Sequence, residues 1–174
     1  MASLEELRET FPHAARDIKI NLQNVLTPGT LNEAQTWGVA IACAQATRNT
    51  RLVSSVLEDA KARGVADEVV EDARAAAILM AMNNVFYRFR HIVDKEEYAQ
   101  KPARLRMQRL AQVTSNKADF ELFCLAVSAI NNCETCVRSH EEAVIKGGLT
   151  SDHVHDAVRI AATLAASAQA LETL

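Results

Sequence analysis

"FELFCLAVSAINNCETCVRSH", residues 120–140, joins an apolar segment to a closely spaced pair of cysteines. Residues 120–130 are apolar nearly all round, which is typical of a buried helix. Asn131 and Asn132 are favourable N-cap residues, so a second helix is predicted to begin there with Cys133 in its first turn. The stretch therefore predicts one helix that packs in the core and a following helix that presents the cysteines.

The rest of the chain has the same helical character. Five glycines and three prolines in 174 residues leave few positions that break a helix. Thr30 and Glu33 form a capping-box pattern, Gly64 is placed to end a helix, and residues 104–113, "RLRMQRLAQV", are predicted to be helical. The prediction is an all-α fold, a compact bundle of about eight helices, in a single domain over residues 1–174.

Two segments of the chain resemble each other. Residues 81–90, "AMNNVFYRFR", align without gaps on residues 129–138, "AINNCETCVR", within a wider similarity around 73–92 and 121–140. Both copies are predicted to follow an apolar helix and open another, as in a duplicated helical hairpin, although chance similarity remains the alternative. Only the second copy has cysteines, so the chemistry is expected there.

Charge and composition exclude several classes of protein. A formal net charge of −3 gives no basic surplus of the kind that binds nucleic acid. The N-terminus is charged where a signal peptide would be apolar, and the longest apolar run, residues 75–82, is too short to span a membrane. We therefore expect a cytoplasmic protein with no nucleic-acid or membrane partner. In that reducing compartment a close cysteine pair indicates catalysis or metal binding rather than a structural disulfide.

The spacing of the cysteines suits redox chemistry. Three residues of helix bring Cys133 and Cys136 within the Cα separation that a disulfide tolerates. His140 follows one turn later on the same face, where an imidazole can accept a thiol proton. The positive end of the helix dipole favours Cys133, nearer the helix start, as the nucleophile. Cys43 and Cys124 lie in apolar runs and are predicted to be packing thiols.

Glu121 has two interpretations. If it is buried in its apolar helix, desolvation raises its pKa towards the range useful for proton transfer, and it can reach His140 or a water beside the thiols. If it lies half exposed near the helix start, it only favours the helix dipole. A zinc site is a further alternative, in which Cys124 or Glu121 would join the two cysteines and the histidine.

The pattern of Glu121, eleven residues, Cys133-Glu-Thr-Cys136, three residues and His140 resembles the alkyl hydroperoxide reductase D family, the AhpD-like peroxidases of the carboxymuconolactone decarboxylase superfamily. "WGVAIACAQATRN" and "MNNVFYRFRH" also look like that family, so the similarity covers nearly the whole chain. The resemblance implies an all-helical fold with an internal duplication, usually a homotrimer, and antioxidant disulfide reductase and peroxidase activity.

The resemblance also implies an electron path. No cofactor is bound: dihydrolipoamide, a lipoyl group carried on an acyltransferase, reduces the CxxC pair, which passes electrons to a peroxiredoxin, AhpC, that reduces organic hydroperoxides. Cys136 becomes the thiol that passes through a sulfenic acid and forms the mixed disulfide with AhpC. Cys133 becomes its proton donor and disulfide partner, and Glu121 with His140 the proton relay.

One position departs from the family pattern. Close relatives often have a histidine where this chain has Thr135, which puts peroxidase efficiency in doubt more than thiol exchange. A non-redox scaffold or a decarboxylase-like enzyme on the same fold remains the alternative function. Superfamily members with decarboxylase activity lack the CxxC pair, so its presence argues against that branch.

Overall fold

The computed structural model describes residues 2–174, which fold into α-helices with no strand among them. This confirms the all-α prediction, and the count is close to the expected eight. No helix within these residues has the length and apolar character needed to cross a membrane. The helices are α1 (Leu4–Glu9), α2 (Arg16–Val25), α3 (Glu33–Thr47), α4 (Thr50–Ala62), α5 (Asp67–Val93), α6 (Glu96–Gln100), α7 (Lys117–Ile130), α8 (Glu134–Lys146) and α9 (Ser151–Glu172).

Helices α3 and α7 form the centre of the bundle. Each packs against the other and against α5 and α9, while α8 lies on α7. Residues 35–44 of α3 and 122–128 of α7 are buried without interruption, because neither segment has a polar face to turn towards water. The two helices approach closely at Gly38, where any Cβ would collide with the ring of Phe123.

The helix boundaries follow local capping. Helix α3 begins after Asn32, whose Oδ1 accepts a hydrogen bond from the Gln35 backbone N–H at 2.9 Å, while Gln35 Oε1 accepts from the Asn32 N–H at 3.0 Å. The capping box predicted at Thr30 and Glu33 is therefore displaced, because asparagine two residues later caps at least as well. Gly64 adopts a left-handed φ of 72° just past α4, which confirms its predicted role.

Residues 104–113 do not form the predicted α-helix. Only Gln108–Ala111 makes a short 3-10 turn, and the remainder is irregular. Tertiary contacts override helix propensity here, because Arg109 and the backbone N–H of Thr114 donate hydrogen bonds to the buried carboxylate of Asp72 on α5. The segment is thereby held in an extended path between α6 and α7.

The two similar segments have different backbones. Residues 81–90 lie inside α5, which continues without a break, whereas residues 129–138 span the junction of α7 and α8. The expectation that the first copy opens a new helix is therefore wrong. Asn132 turns the chain with a left-handed φ of 54°, while its counterpart Asn84 stays helical and buried. Duplication of a helical hairpin stays a prediction.

Candidate active site

The turn between α7 and α8 places the first cysteine. Asn132 is left-handed, and its N–H donates to Ala129 O at 3.2 Å while the Cys133 N–H donates to Ser128 O at 3.1 Å. This pair of bonds is a Schellman motif, and asparagine tolerates the left-handed position better than most residues. The predicted asparagine N-cap is therefore wrong: Cys133 itself is the N-cap, and α8 begins at Glu134.

Cys133 and Cys136 form a disulfide with a Cα–Cα separation of 5.2 Å. Cys136 lies in the first turn of α8, where backbone N–H groups lack helical partners and favour negative charge on a thiolate. Cys133 is fully buried, whereas Cys136 is 6% exposed. The bond joins neighbouring positions at one helix start, so it can open and close without moving a helix.

Glu121 and His140 meet as the sequence suggested. His140 Nδ1 lies 2.7 Å from Glu121 Oε2, and Lys117 Nζ lies 2.6 Å from Glu121 Oε1. The Glu121 side chain is only 14% exposed, so the half-exposed interpretation is wrong. Desolvation by burial acts to raise the pKa of Glu121, but the hydrogen bonds from His140 and Lys117 outweigh it and hold the pKa at about 2. The expected raised pKa is therefore also wrong.

The second nitrogen of His140 faces α5. Its Nε2 lies 3.2 Å from the sulfur of Met80, and the hydrogen bonds of the ring go to Glu121 and Met80 rather than to either cysteine. Glu121 accepts from Nδ1–H, and since a thioether sulfur can only accept, Nε2 hydrogen-bonds to Met80 only when it carries a proton. Sequence reasoning missed Met80, since nothing distinguishes this methionine from its apolar neighbours on α5.

A buried polar network ties α5 to the turn before Cys133. Asn84 Nδ2 donates to Ser128 Oγ at 2.9 Å, Asn131 Nδ2 donates to Asn84 Oδ1 at 2.9 Å, and Arg88 Nη1 donates to Asn131 O at 2.6 Å. Asn84 and Ser128 are both almost completely buried. Such a satisfied network fixes one backbone geometry. Asn84, which comes just after the apolar run of residues 75–82, was the available sequence signal for it.

Charged side chains rim the disulfide on the solvent side. Glu134, between the two cysteines in sequence, contacts Arg138 Nη2 at 2.7 Å and His91 Nε2 at 3.2 Å. Hydrogen bonds from Arg138 and then from His91 lower the pKa of Glu134 below its ordinary value. Its carboxylate is therefore engaged by cationic and donor groups rather than left free beside the sulfurs.

Cys43 and Cys124 are free and fully buried, which confirms that they pack in the core. Desolvation raises the pKa of both thiols well above the ordinary cysteine value, so neither ionises readily. Within residues 2–174, no group of three or more His, Cys, Asp or Glu side chains is arranged to hold a metal ion.

The chain is similar to known proteins over almost its full length. Residues 96–174 match the carboxymuconolactone decarboxylase family. A protein named alkyl hydroperoxide reductase AhpD from Anaeromyxobacter sp. (strain K) is 64% identical over 172 residues, covering 99% of this chain and 92% of the relative. Proteins of the same name from Solibacter usitatus (strain Ellin6076) and Maricaulis maris (strain MCS10) are 47% and 43% identical, covering 92% and 97% of this chain and 90% and 97% of theirs.

Proposed function

The chain belongs to the alkyl hydroperoxide reductase AhpD family of the carboxymuconolactone decarboxylase superfamily, and from this premise we propose that it is an antioxidant thiol–disulfide oxidoreductase of the alkyl hydroperoxide reductase type. The observation that carries the proposal is the disulfide between Cys133 and Cys136 at the start of α8, with the Glu121–His140 pair packed nearby. The protein acts in the cytoplasm, where other thiols are kept reduced.

Reduction of the enzyme begins at its disulfide. A thiolate of dihydrolipoamide, carried on a lipoyl-bearing acyltransferase, attacks the sulfur of Cys136 and releases Cys133 as a thiolate, which takes up a proton. The second thiol of the lipoyl group then displaces Cys136, giving lipoamide and two enzyme thiols. Two electrons and two protons pass from the lipoyl group to the protein in this exchange.

Oxidation of the enzyme passes the two electrons on, either to AhpC or directly to a peroxide. The Cys136 thiolate attacks the disulfide of the peroxiredoxin AhpC and forms a mixed disulfide, which Cys133 resolves to regenerate the original bond and a reduced AhpC. Direct attack on an organic hydroperoxide converts Cys136 to a sulfenic acid and releases an alcohol. Cys133 then donates its proton and condenses with the sulfenic acid to the disulfide, releasing water.

Glu121 and His140 transfer protons to and from the cysteine pair. Since Glu121 is ionised, it accepts a hydrogen bond from Nδ1 and orients the imidazole, while Nε2 exchanges protons with the cysteine pair through water. This arrangement resembles the acid–histidine pair of hydrolytic triads, in which the carboxylate holds the ring rather than carrying the proton itself. A histidine at the position of Thr135 is not needed for thiol exchange by this path.

An exposed apolar stripe supports assembly into a homotrimer. Ile78, Val85, Phe89 and Ile92 follow heptad spacing along α5 and are all at least 47% exposed. A stripe of this kind is typical of a helix that packs against another copy or another protein. The number three comes from the family, and the end of the stripe at Phe89 and Ile92 is the surface that we assign to the contact.

The proposal is tested by trapping the mixed disulfide. Cys133→Ser should retain Cys136 but lack the resolving thiol, so oxidised AhpC should accumulate as a covalent complex with it on non-reducing gels. Cys136→Ser should form no such complex and should lose dihydrolipoamide-dependent peroxide reduction, whereas the core control Cys43→Ala should keep both. A complex formed through Cys133 alone would reverse the two roles.

A thiol count tests the cycle itself. Denatured protein should show two reactive thiols after mild oxidation and four after treatment with dihydrolipoamide, since Cys43 and Cys124 are free in both states. Four thiols under both conditions would show that the pair does not cycle. That result would reject the redox function and favour a scaffold or a decarboxylase-like enzyme on the same fold.

A further inference from the structure

A cavity of about 280 Å³ lies where the end of α3 meets the middle of α5. Its wall includes Arg48, which caps α3, Arg88 from α5, and Asn131 from the turn before Cys133. The cysteines themselves do not line it. The cavity is therefore a feature separate from the disulfide, although the two share the α7–α8 turn.

The polar side of this cavity is cationic. Neither Arg48 nor Arg88 forms an ion pair within residues 2–174, and no aspartate or glutamate lines the cavity. Arg88 is partly buried and donates a hydrogen bond from Nη1 to Asn131 O, so its other N–H groups are available to a ligand. A partly desolvated guanidinium without a counter-charge favours binding of an anion.

The opposite side of the cavity is apolar. Ala77, Ile78, Ala81 and Val85 succeed one another along α5 and line it together. A bare inorganic anion would leave this wall unused, whereas an aliphatic chain would cover it and remove apolar surface from water. The volume is slightly below the range of about 300–1,000 Å³ found for drug-sized ligands, so the ligand should be small.

We propose that this cavity binds a short-chain aliphatic carboxylate, with its carboxylate between Arg48 and Arg88 and its chain along α5. Planar guanidinium groups match carboxylates through paired hydrogen bonds, and the amide of Gln45 on the same wall supplies a further donor. The assignment does not depend on the redox function, because no cysteine takes part in it.

Calorimetric titration of the oxidised protein with hexanoate tests the site, with the isosteric neutral hexanamide as the matched ligand. Hexanoate should bind and hexanamide should bind at least about tenfold more weakly, since charge-assisted hydrogen bonds are lost. Arg48→Gln should weaken hexanoate binding by about tenfold or more, while Arg16→Gln, an exposed arginine on α2, should leave it unchanged. Ala81→Trp should block binding without removing either charge.

Light scattering on the same samples separates a ligand from a subunit contact. Hexanoate binding by the wild-type protein with an unchanged mass in Arg48→Gln supports the proposal. Absence of hexanoate binding, equal binding of hexanamide, or equal weakening by Arg16→Gln would overturn it. A change of mass in Arg48→Gln without hexanoate binding to the wild-type protein would show that the arginines meet a second copy, and would overturn it as well.

Discussion

Glu121 is ionised although its side chain is largely withdrawn from water, because two neighbours donate to it. Its pKa is about 2 against an ordinary value of 4.5, so the unfolded chain binds a proton more readily than the folded one. The resulting stabilisation is fully present above about pH 4.5 and is lost as the pH falls towards 2. The contribution is about 1–2 kcal/mol, after a discount for the screening that the partly solvated Lys117 contact suffers.

This behaviour gives a prediction for Glu121→Gln. Urea unfolding of the wild-type protein should lose more free energy between pH 6 and pH 3 than unfolding of the variant, by about 1–2 kcal/mol. The variant should also exchange thiols with dihydrolipoamide about 10- to 100-fold more slowly at neutral pH, because the imidazole loses its charged partner. Glu141→Gln, one residue beyond His140 on α8, is the control. An identical loss of stability with pH in Glu121→Gln and the wild-type protein would contradict the assignment.

At single residues, the sequence predicted which groups meet but not how they behave. The spacing of Cys136 and His140 was enough to place them on one face of a helix, whereas spacing alone left open whether Glu121 is buried beside His140 or half exposed. The ionisation of Glu121 depended on Lys117, and the position of Cys133 depended on a left-handed Asn132. The first effect depends on the distance between two side chains and the second on the backbone conformation of a turn, and residue types alone specify neither.

At the scale of elements, Asp72 holds the irregular segment before α7 onto α5. Its carboxylate is fully buried and accepts hydrogen bonds from Arg109, Thr114 and Ser115. Asp72→Asn would place an amide N–H₂ against these donors, so we expect a loss of about 2–4 kcal/mol in unfolding free energy. Hydrogen exchange should rise over residues 104–116. Glu71→Gln, at the exposed neighbour on α5, should change neither the unfolding free energy nor the hydrogen exchange. Equal effects in both variants would refute the role of Asp72 in holding this segment.

The crossing of α3 over α7 depends on Gly38. Replacing glycine by alanine inside a helix usually stabilises by about 1 kcal/mol, but here the new Cβ would strike the Phe123 ring. Gly38→Ala should therefore destabilise by about 1–3 kcal/mol. In a double-mutant cycle, Phe123→Leu should relieve part of this cost, and strictly additive effects in the cycle would contradict the close approach.

Helix type and the end of α4 at Gly64 were predictable from local signals, while the starts of α3 and α8 and two longer segments were not. Residues 104–113 have the composition of a helix, yet the hydrogen bond from Arg109 to Asp72 holds them in an irregular path. Residues 81–90 look like the cysteine turn, yet they continue α5, where the buried Asn84 hydrogen-bonds to Ser128 and Asn131. In both cases a tertiary hydrogen bond outweighs a local preference of a few tenths of a kcal/mol per residue.

At the scale of the whole molecule, the apolar stripe on α5 is the surface with the clearest need for a partner. Ile92 is 72% exposed at one end of the stripe, away from the cavity that Ile78 and Val85 line. Ile92→Glu would place a charge in the proposed subunit contact, where desolvation without a partner is costly. We expect light scattering to show dissociation to smaller species, with the helical content of the protein unchanged.

The matched control for this prediction is Ile20→Glu. Ile20 is 50% exposed on α2 and lies outside the stripe, so the same substitution there should leave the assembly intact. Dissociation by both variants would indicate a general loss of folding, and dissociation by neither would place the subunit contact elsewhere. Dissociation by Ile92→Glu alone would assign the contact to α5, and the thiol count of the dissociated species would then show whether one copy completes the redox cycle by itself. Since Cys133, Cys136, Glu121 and His140 all come from one chain, we expect that it does.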